Sequence, residues 1–303
     1  ALSTDQKIRF AGGELHMGRL SGYRLDAAEL YLEEGRLRLE SAVFIAGSEG
    51  QSGFEERSRL EVSGELELEG AGEARADLKV SGIEIEPFLP PSLRNRLEGT
   101  LLGTFAWTGR LNRPESGANL EGKCVLERAA LDNLVVLEDL ARYSGDSRFR
   151  RIEFPEGMRA RLSSNGRALT LEGIHAEKPG LLKLEGRIAM SAAGDLEGEL
   201  NLGLPEAGFL LFPGGKPAFF GAAQKGFSFA AMTVSGSADR FEEDLAGRLL
   251  ASASGKSGGA DAKARAEGAV GAAGGAKKED SASEGAPTAE KRRAEALFRA
   301  LLK

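Results

Sequence analysis

Residues 181–190 read LLKLEGRIAM and residues 195–204 read DLEGELNLGL. In the first, Leu182, Leu184, Gly186, Ile188 and Met190 alternate with Lys183, Glu185 and Arg187. In the second, Leu196, Gly198, Leu200, Leu202 and Leu204 alternate with Asp195, Glu197, Glu199 and Asn201. A period of two sends successive side chains to opposite faces of an extended chain, so each segment reads as a strand with one apolar and one charged face. The same reading holds upstream. In 73–80, EARADLKV, Ala74, Ala76, Leu78 and Val80 alternate with Glu73, Arg75, Asp77 and Lys79. In 97–107, Leu97, Leu101, Phe105 and Trp107 share a side with Gly99 and Gly103. Strands buried on both faces would be apolar throughout; alternation marks an antiparallel sheet with one solvated face. About 12 to 15 such strands are expected before residue 252.

A small unit recurs through these strands: an aliphatic residue, then Glu or Ser, then Gly. It stands at Val62-Ser63-Gly64, Val80-Ser81-Gly82, Leu97-Glu98-Gly99, Leu120-Glu121-Gly122, Leu171-Glu172-Gly173, Leu184-Glu185-Gly186, Leu196-Glu197-Gly198 and Val234-Ser235-Gly236, among other places. Where Gly falls inside an alternating run, it shares the apolar face and lets the sheet bend toward that face. Elsewhere the same unit reads as a hairpin turn. Its spacing is irregular, which excludes a strict solenoid repeat.

Helical signals are few. Residues 133–143, NLVVLEDLARY, put Leu134, Leu137 and Leu140 along one side, with Ser144-Gly145 as a stop. Residues 240–251 suit a helix carrying Phe241, Leu245, Leu249 and Leu250. Residues 87–96 contain Pro87, Pro90 and Pro91 and allow only a short turn or helix. Residues 205–225, rich in Phe, Pro and Gly, read as an irregular apolar loop. Two short helices cannot roof so many one-sided strands. The sheet must fold onto a second sheet, close into a barrel, or curl into a trough filled by an apolar guest.

The chain of 303 residues has a net charge of -6, which argues against a nucleic-acid partner. One Cys and two His exclude a disulfide framework and most metal sites. Cys124 lies on the Leu120, Gly122, Leu126 face of its strand and reads as a small buried hydrophobe. His16 and His175 are far apart and sit in strand-like sequence. Glu55-Glu56 and Glu242-Glu243 are neighbours that point to opposite faces of an extended chain, so spacing makes no acid/base pair of them. No phosphate loop, dinucleotide fingerprint or nucleophile elbow is present. The expectation is a non-enzyme without a cofactor.

Charge and complexity set the last 52 residues apart: 252–303 carry +3 and the remainder -9. Residues 252–287 form an Ala/Gly/Ser/Lys segment with almost nothing to bury, expected to be disordered. Residues 288–303, TAEKRRAEALFRALLK, follow a helical period, with Ala294, Leu297, Phe298 and Leu301 on one face and Lys291, Arg292, Glu295, Arg299 and Lys303 on the other. That helix is expected to dock on its own or a sister domain, or on a membrane surface or an envelope partner, through Leu297, Phe298 and Leu301.

The stretch 117–251 resembles the C-terminal module of the AsmA-like family of bacterial envelope proteins, which extends to TamB- and YhdP-type members. The resemblance is carried by ANLEGKCVLERAALDNLVVLEDLARY (118–143), by RFRRIEFPEGMRARLSSNGRALTLEGIHAEKPGLLKLEGRIAMSAAGDLEGELNLGL (148–204) and by FSFAAMTVSGSADRF (227–241). Residues 1–116, including AELYLEEGRLRLE (28–40), are similar to the repeated strands that precede that module. The resemblance implies a mainly β fold: a long curved antiparallel sheet forming a half-pipe, apolar inside and charged outside. It implies a periplasmic protein, anchored to the inner membrane through a segment not present in this chain, that handles phospholipid or maintains the outer membrane. The candidate lining is Leu97, Leu101, Phe105, Leu120, Leu126, Leu169, Leu171, Leu182, Leu184, Ile188, Met190, Leu196, Leu200, Leu202, Phe227 and Phe229. Phe227 and Phe229 share a phase that Met232 and Val234 do not, so a bulge is expected between them. Two other readings compete: a β scaffold that recruits a partner protein through its tail, and a carbohydrate-active β-helix enzyme. Low aromatic content, 6% with one Trp, disfavours the second.

Overall fold

The structure is a computed structural model that describes residues 6–12, 14–15, 23–33, 35–46, 58–68, 72–89, 91–110, 118–237 and 240–253. The linker beyond 253, the terminal helix with Leu297, Phe298 and Leu301, and His16 and Glu55-Glu56 lie outside the described residues.

Alternation in the sequence becomes one antiparallel sheet. Its strands are β1 (Gln6–Phe10), β2 (Glu14–Leu15), β3 (Tyr23–Glu33), β4 (Arg36–Ala46), β5 (Arg59–Glu67), β6 (Glu73–Glu84), β7 (Leu97–Arg110) and β8 (Asn119–Asp132). They continue as β9 (Arg151–Glu153), β10 (Met158–Ser164), β11 (Ala168–Lys178), β12 (Leu182–Ser191), β13 (Asp195–Pro205), β14 (Phe227–Ser237) and β15 (Phe241–Glu243). Each main strand pairs with its neighbour in sequence, while β2 lies beside β3 and β9 beside β8. β1 and β15 end the path without meeting, so the sheet is open: neither a barrel nor, among the described residues, one half of a sandwich. It runs without a break across residue 116, because β7 and β8 pair from Leu97↔Leu131 to Thr108↔Asn119.

Bulges interrupt several strands, and two copies of the recurring Gly unit sit at them. In β11, Leu171 pairs with Ile188 and Ile174 with Gly186, so one residue too many lies between them, at Glu172-Gly173. Gly173 takes φ 59°, a left-handed conformation that a side chain would strain. The extra residue shifts the phase, so Leu169 and Leu171 before it and Ile174 and Ala176 after it share one face. β6 does the same at Ser81-Gly82, between Val80 and Ile83. β8 does it at Arg128, between Leu126 and Ala129. Further shifts fall in β3 and β4. Bulges bend a sheet and increase its twist. Among the eight copies of the unit quoted above, the glycines lie within strands rather than in hairpin turns.

The charged face is laced by cross-strand pairs such as Lys7–Glu29 at 2.8 Å, Arg110–Glu73 at 3.3 Å and Arg36–Glu67 at 3.7 Å. The helices are α1 (Pro91–Arg94), α2 (Val135–Ser144) and α3 (Leu245–Ala253). α2 buries Val136, Leu137 and Leu140 and ends at Gly145, whose φ of 73° turns the chain out of the helix. The helix expected over 240–251 begins later: Phe241 belongs to β15, and Glu243 caps α3 by accepting hydrogen bonds from the Leu245 and Ala246 amides at 2.7 and 3.0 Å. Burial pushes the Glu243 carboxyl above its ordinary pKa.

Two cores result. The C-terminal one joins β10–β14 to Val136, Leu137 and Leu140 of α2, Leu245 and Leu249 of α3, and Phe209, Phe212 and Phe220 from the segment between β13 and β14. The N-terminal one centres on Tyr23, Leu60, Val80, Ile83 and Phe105. Among the described residues, Phe88, from the 3-10 turn Glu86–Phe88, is its one contributor from outside the strands.

Candidate functional site

Strand register assembles the apolar side chains into rows that cross the sheet. One row reads, strand by strand from β1 to β14 with β2 and β9 aside, Ile8, Leu30, Leu39, Gly64, Ala76, Trp107, Leu120, Ser164, Leu169, Met190, Leu196 and Gly236. Residues paired across antiparallel strands share a face, so this row is continuous. Its one polar side chain is Ser164. The adjacent row reads Phe10, Ala28, Ala42, Val62, Leu78, Phe105, Gly122, Leu162, Leu171, Ile188, Gly198 and Val234, with no polar side chain. At strand spacing of about 4.8 Å, each row is ~50 Å long.

The two rows differ in what they serve. Members of the second enter both cores: Val62, Leu78, Phe105 and Leu162 the N-terminal one, Leu171, Ile188 and Val234 the C-terminal one. In the first row only Leu120 packs against either core. Leu30, Leu39, Trp107, Leu169, Met190 and Leu196 are half-buried, and Ile8 is exposed at the open end. A shallow hollow of about 470 Å³ is lined by triplets on four neighbouring strands, 38–40, 63–65, 75–77 and 106–108, and most of its lining, such as Arg38, Glu65 and Arg75, belongs to the charged face rather than to this row. Within the row, Gly64 has no room for a side chain: a Cβ there would run into the carbonyl oxygen of Arg75.

A partial roof covers the other rows at the C-terminal end. Phe209 meets Phe212 and Phe220 edge-on, with ring centres 5.4 and 4.9 Å apart, and Tyr143 of α2 meets Phe212 at 4.8 Å. The Tyr143 hydroxyl donates to the Pro213 carbonyl at 3.1 Å. A polar latch ties the same segment to β14. Ser228, fully buried, donates to Glu206 Oε1 and accepts from Lys216 Nζ at 2.5 Å, while Lys216 and Glu206 pair at 3.0 Å. The Ser228 hydroxyl, with Lys216, holds the Glu206 carboxyl below its usual pKa.

The lining expected from sequence is thereby divided. Leu120, Leu169, Met190 and Leu196 fall in the first row, and Phe105, Leu171 and Ile188 in the second. Leu97 and Leu101 are half-buried further along β7. Leu126, Leu182, Leu184, Leu200 and Leu202 are buried in the C-terminal core and serve the protein's own packing. Phe227 and Phe229 require a correction. β13 and β14 pair without a shift from Asp195↔Ser237 to Pro205↔Phe227, so no bulge intervenes. Ser228, Ala230, Met232 and Val234 take the buried positions, and both Phe rings lie on the opposite face, where Lys183 stands 6.0 Å from the Phe229 ring centre. The lining list omitted Ile8, Leu30, Leu39 and Trp107; the alternation in 28–40 and 97–107 is the signal that carries the last three.

Chemistry-bearing groups are otherwise quiet. Cys124 sits half-buried beside Ala160, its thiol 3.6 Å from the Ala160 carbonyl and its pKa pushed up by burial. His175 Nδ1 lies 3.4 Å from Glu185 on the charged face. Among the described residues no group of three or more His, Cys, Asp or Glu is placed to hold a metal ion, and no helix is long and apolar enough to cross a membrane. Comparison of the chain with family models, with curated proteins and with solved structures returned no match.

Proposed function

We propose that the protein handles lipid in a bacterial cell envelope, with phospholipid acyl chains lying along the apolar rows of its sheet. One observation carries the reading: the row from Ile8 to Gly236 joins both ends of the sheet, is apolar but for Ser164, and is almost absent from the protein's own cores. Apolar surface left in water costs about 25 cal/mol per Å². A continuous apolar strip of this length marks a surface that something covers.

Acyl chains suit it because a strip of Leu, Ala, Gly, Trp and Met offers no directional contacts. Binding there is partition rather than chemistry, at ~0.8 kcal/mol for each CH₂ removed from water. Neighbouring positions along the row are close in energy, so a chain slides. Charged residues occupy the other face, so the headgroup stays in solvent and is read weakly. The resemblance of 117–251 to the AsmA-like module supports the same reading and adds a periplasmic setting, with transport or outer-membrane homeostasis as the role.

The test is lipid content. The purified full chain, extracted with organic solvent, is expected to release phospholipid and then to rebind a fluorescent phospholipid saturably. A Leu169→Ser, Met190→Ser, Leu196→Ser variant should lose most of that binding with its melting temperature nearly unchanged. A chain that carries no lipid and binds none refutes the proposal.

A further inference from the structure

The segment between β13 and β14 is apolar on two sides. Phe209, Phe212 and Phe220 point inward and are buried in the roof. Leu210 and Leu211 do not: they are 87% and 50% exposed on the 3-10 turn Glu206–Leu211. A scattered exposed leucine means little. These two are consecutive, and their turn is held at both ends. Glu206 is tied to Lys216 and Ser228, and Phe212 is packed against Tyr143 and Phe209. The leucines cannot turn inward while those contacts hold, so their exposure is built into the fold.

We propose that this turn is a membrane-docking tip, and that Leu210 and Leu211 enter the surface of a phospholipid bilayer. Size decides between a bilayer and a protein partner. A stable protein interface needs roughly 800 Å² from each side, and two leucine side chains supply a small part of that. A bilayer surface accepts a narrow apolar protrusion without matching its shape. Charge agrees: Lys225 is exposed and without an ion-pair partner among the described residues. It lies at the same end of the sheet as the tip, because Pro205 pairs with Phe227. A cation there meets lipid phosphate. Docking by the tip sets the roofed end of the sheet against the bilayer, and the inference rests on the lipid-handling reading only for that purpose.

Flotation of the full chain with vesicles of phosphatidylcholine and phosphatidylglycerol tests it, alongside binding of a soluble short-chain phosphatidylcholine below its micellar concentration. Wild-type protein is expected to float. The Leu210→Asp, Leu211→Asp variant is expected to lose roughly tenfold or more in vesicle binding, with its circular dichroism, melting temperature and short-chain lipid binding unchanged. Wild-type protein that binds the short-chain lipid but not vesicles overturns the docking tip and leaves the groove standing. Tip-dependent flotation without short-chain binding does the reverse. Equal flotation of both proteins, or loss of a protein partner by the variant with vesicle binding intact, assigns docking elsewhere and overturns the proposal.

Discussion

Strands β3–β8 and β10–β14 are written in the same alternation, yet they dispose of their apolar faces differently. The second group is roofed: α2, α3 and the segment between β13 and β14 bring Leu140, Leu245, Leu249, Phe209, Phe212 and Phe220 down onto it. In the N-terminal core that β3–β8 build, Phe88 is, among the described residues, the one contributor from outside the strands. Leu60, Val80 and Phe105 are buried chiefly among apolar side chains of the strands themselves. A strand pattern therefore specifies which face is apolar but not what covers it. Cover comes from the connections: among the described residues, those after β8, β13 and β15 supply it.

Substitutions can break this contrast. The largest effect is expected in the roofed region: Leu140→Ala, at a fully buried position, should cost about 2–5 kcal/mol by denaturant titration. A loss no greater than that of Leu39→Ala in the open row would show that the roof is not a real core. Next, Gly122→Val tests curvature in the unroofed region. A Cβ there would collide with the Thr104 carbonyl oxygen and the Phe105 ring. The variant should lose about 1–3 kcal/mol, and a neutral outcome would mean that the sheet is free to flatten. Smaller again is the cap of α3. Glu243→Ala should cost ~1 kcal/mol, whereas Glu243→Gln, which keeps an acceptor, should not. Because burial raises the Glu243 pKa, ionisation opposes folding, and the penalty grows as pH climbs from the usual carboxylate range through the raised value. The Gln variant should therefore show a flatter stability profile across that window, measured by melting at stepped pH. The smallest stability effect, under ~1 kcal/mol, is expected for Leu169→Ser in the open row, where little of the protein's own packing is lost.

Much of this fold could be read from residue order. Leu182 to Met190 and Leu196 to Leu204 announced their strands, Leu137 and Leu140 announced α2, and Gly145 its end. What escaped reading was non-local. A one-residue bulge looks like noise in a period of two, so Ser81-Gly82 and Glu172-Gly173 were open to reading as turns until neighbouring strands fixed the register. Size and apolarity alone place Phe227 and Phe229 inside. Pairing with β13 put Ser228 and Ala230 inside instead, and Lys183 lies near the Phe229 ring outside. The segment 205–225 has no period, so its inward Phe side chains and its outward Leu210 and Leu211 could not be told apart. The apolar face of each strand was legible, which is why Leu120, Leu169, Met190 and Leu196 come together in one row. Whether Leu184 or Leu196 stays open depended on where the roof ended.

Trp107, the chain's only tryptophan, stands in the open row and makes a native reporter. Titration with a phospholipid brominated along its acyl chain is expected to quench Trp107 emission saturably, with little quenching by the same lipid brominated only at the headgroup. Unchanged emission with acyl-brominated lipid, under conditions where the protein is folded and the lipid is present in excess, would contradict the account of the row as an acyl-chain surface.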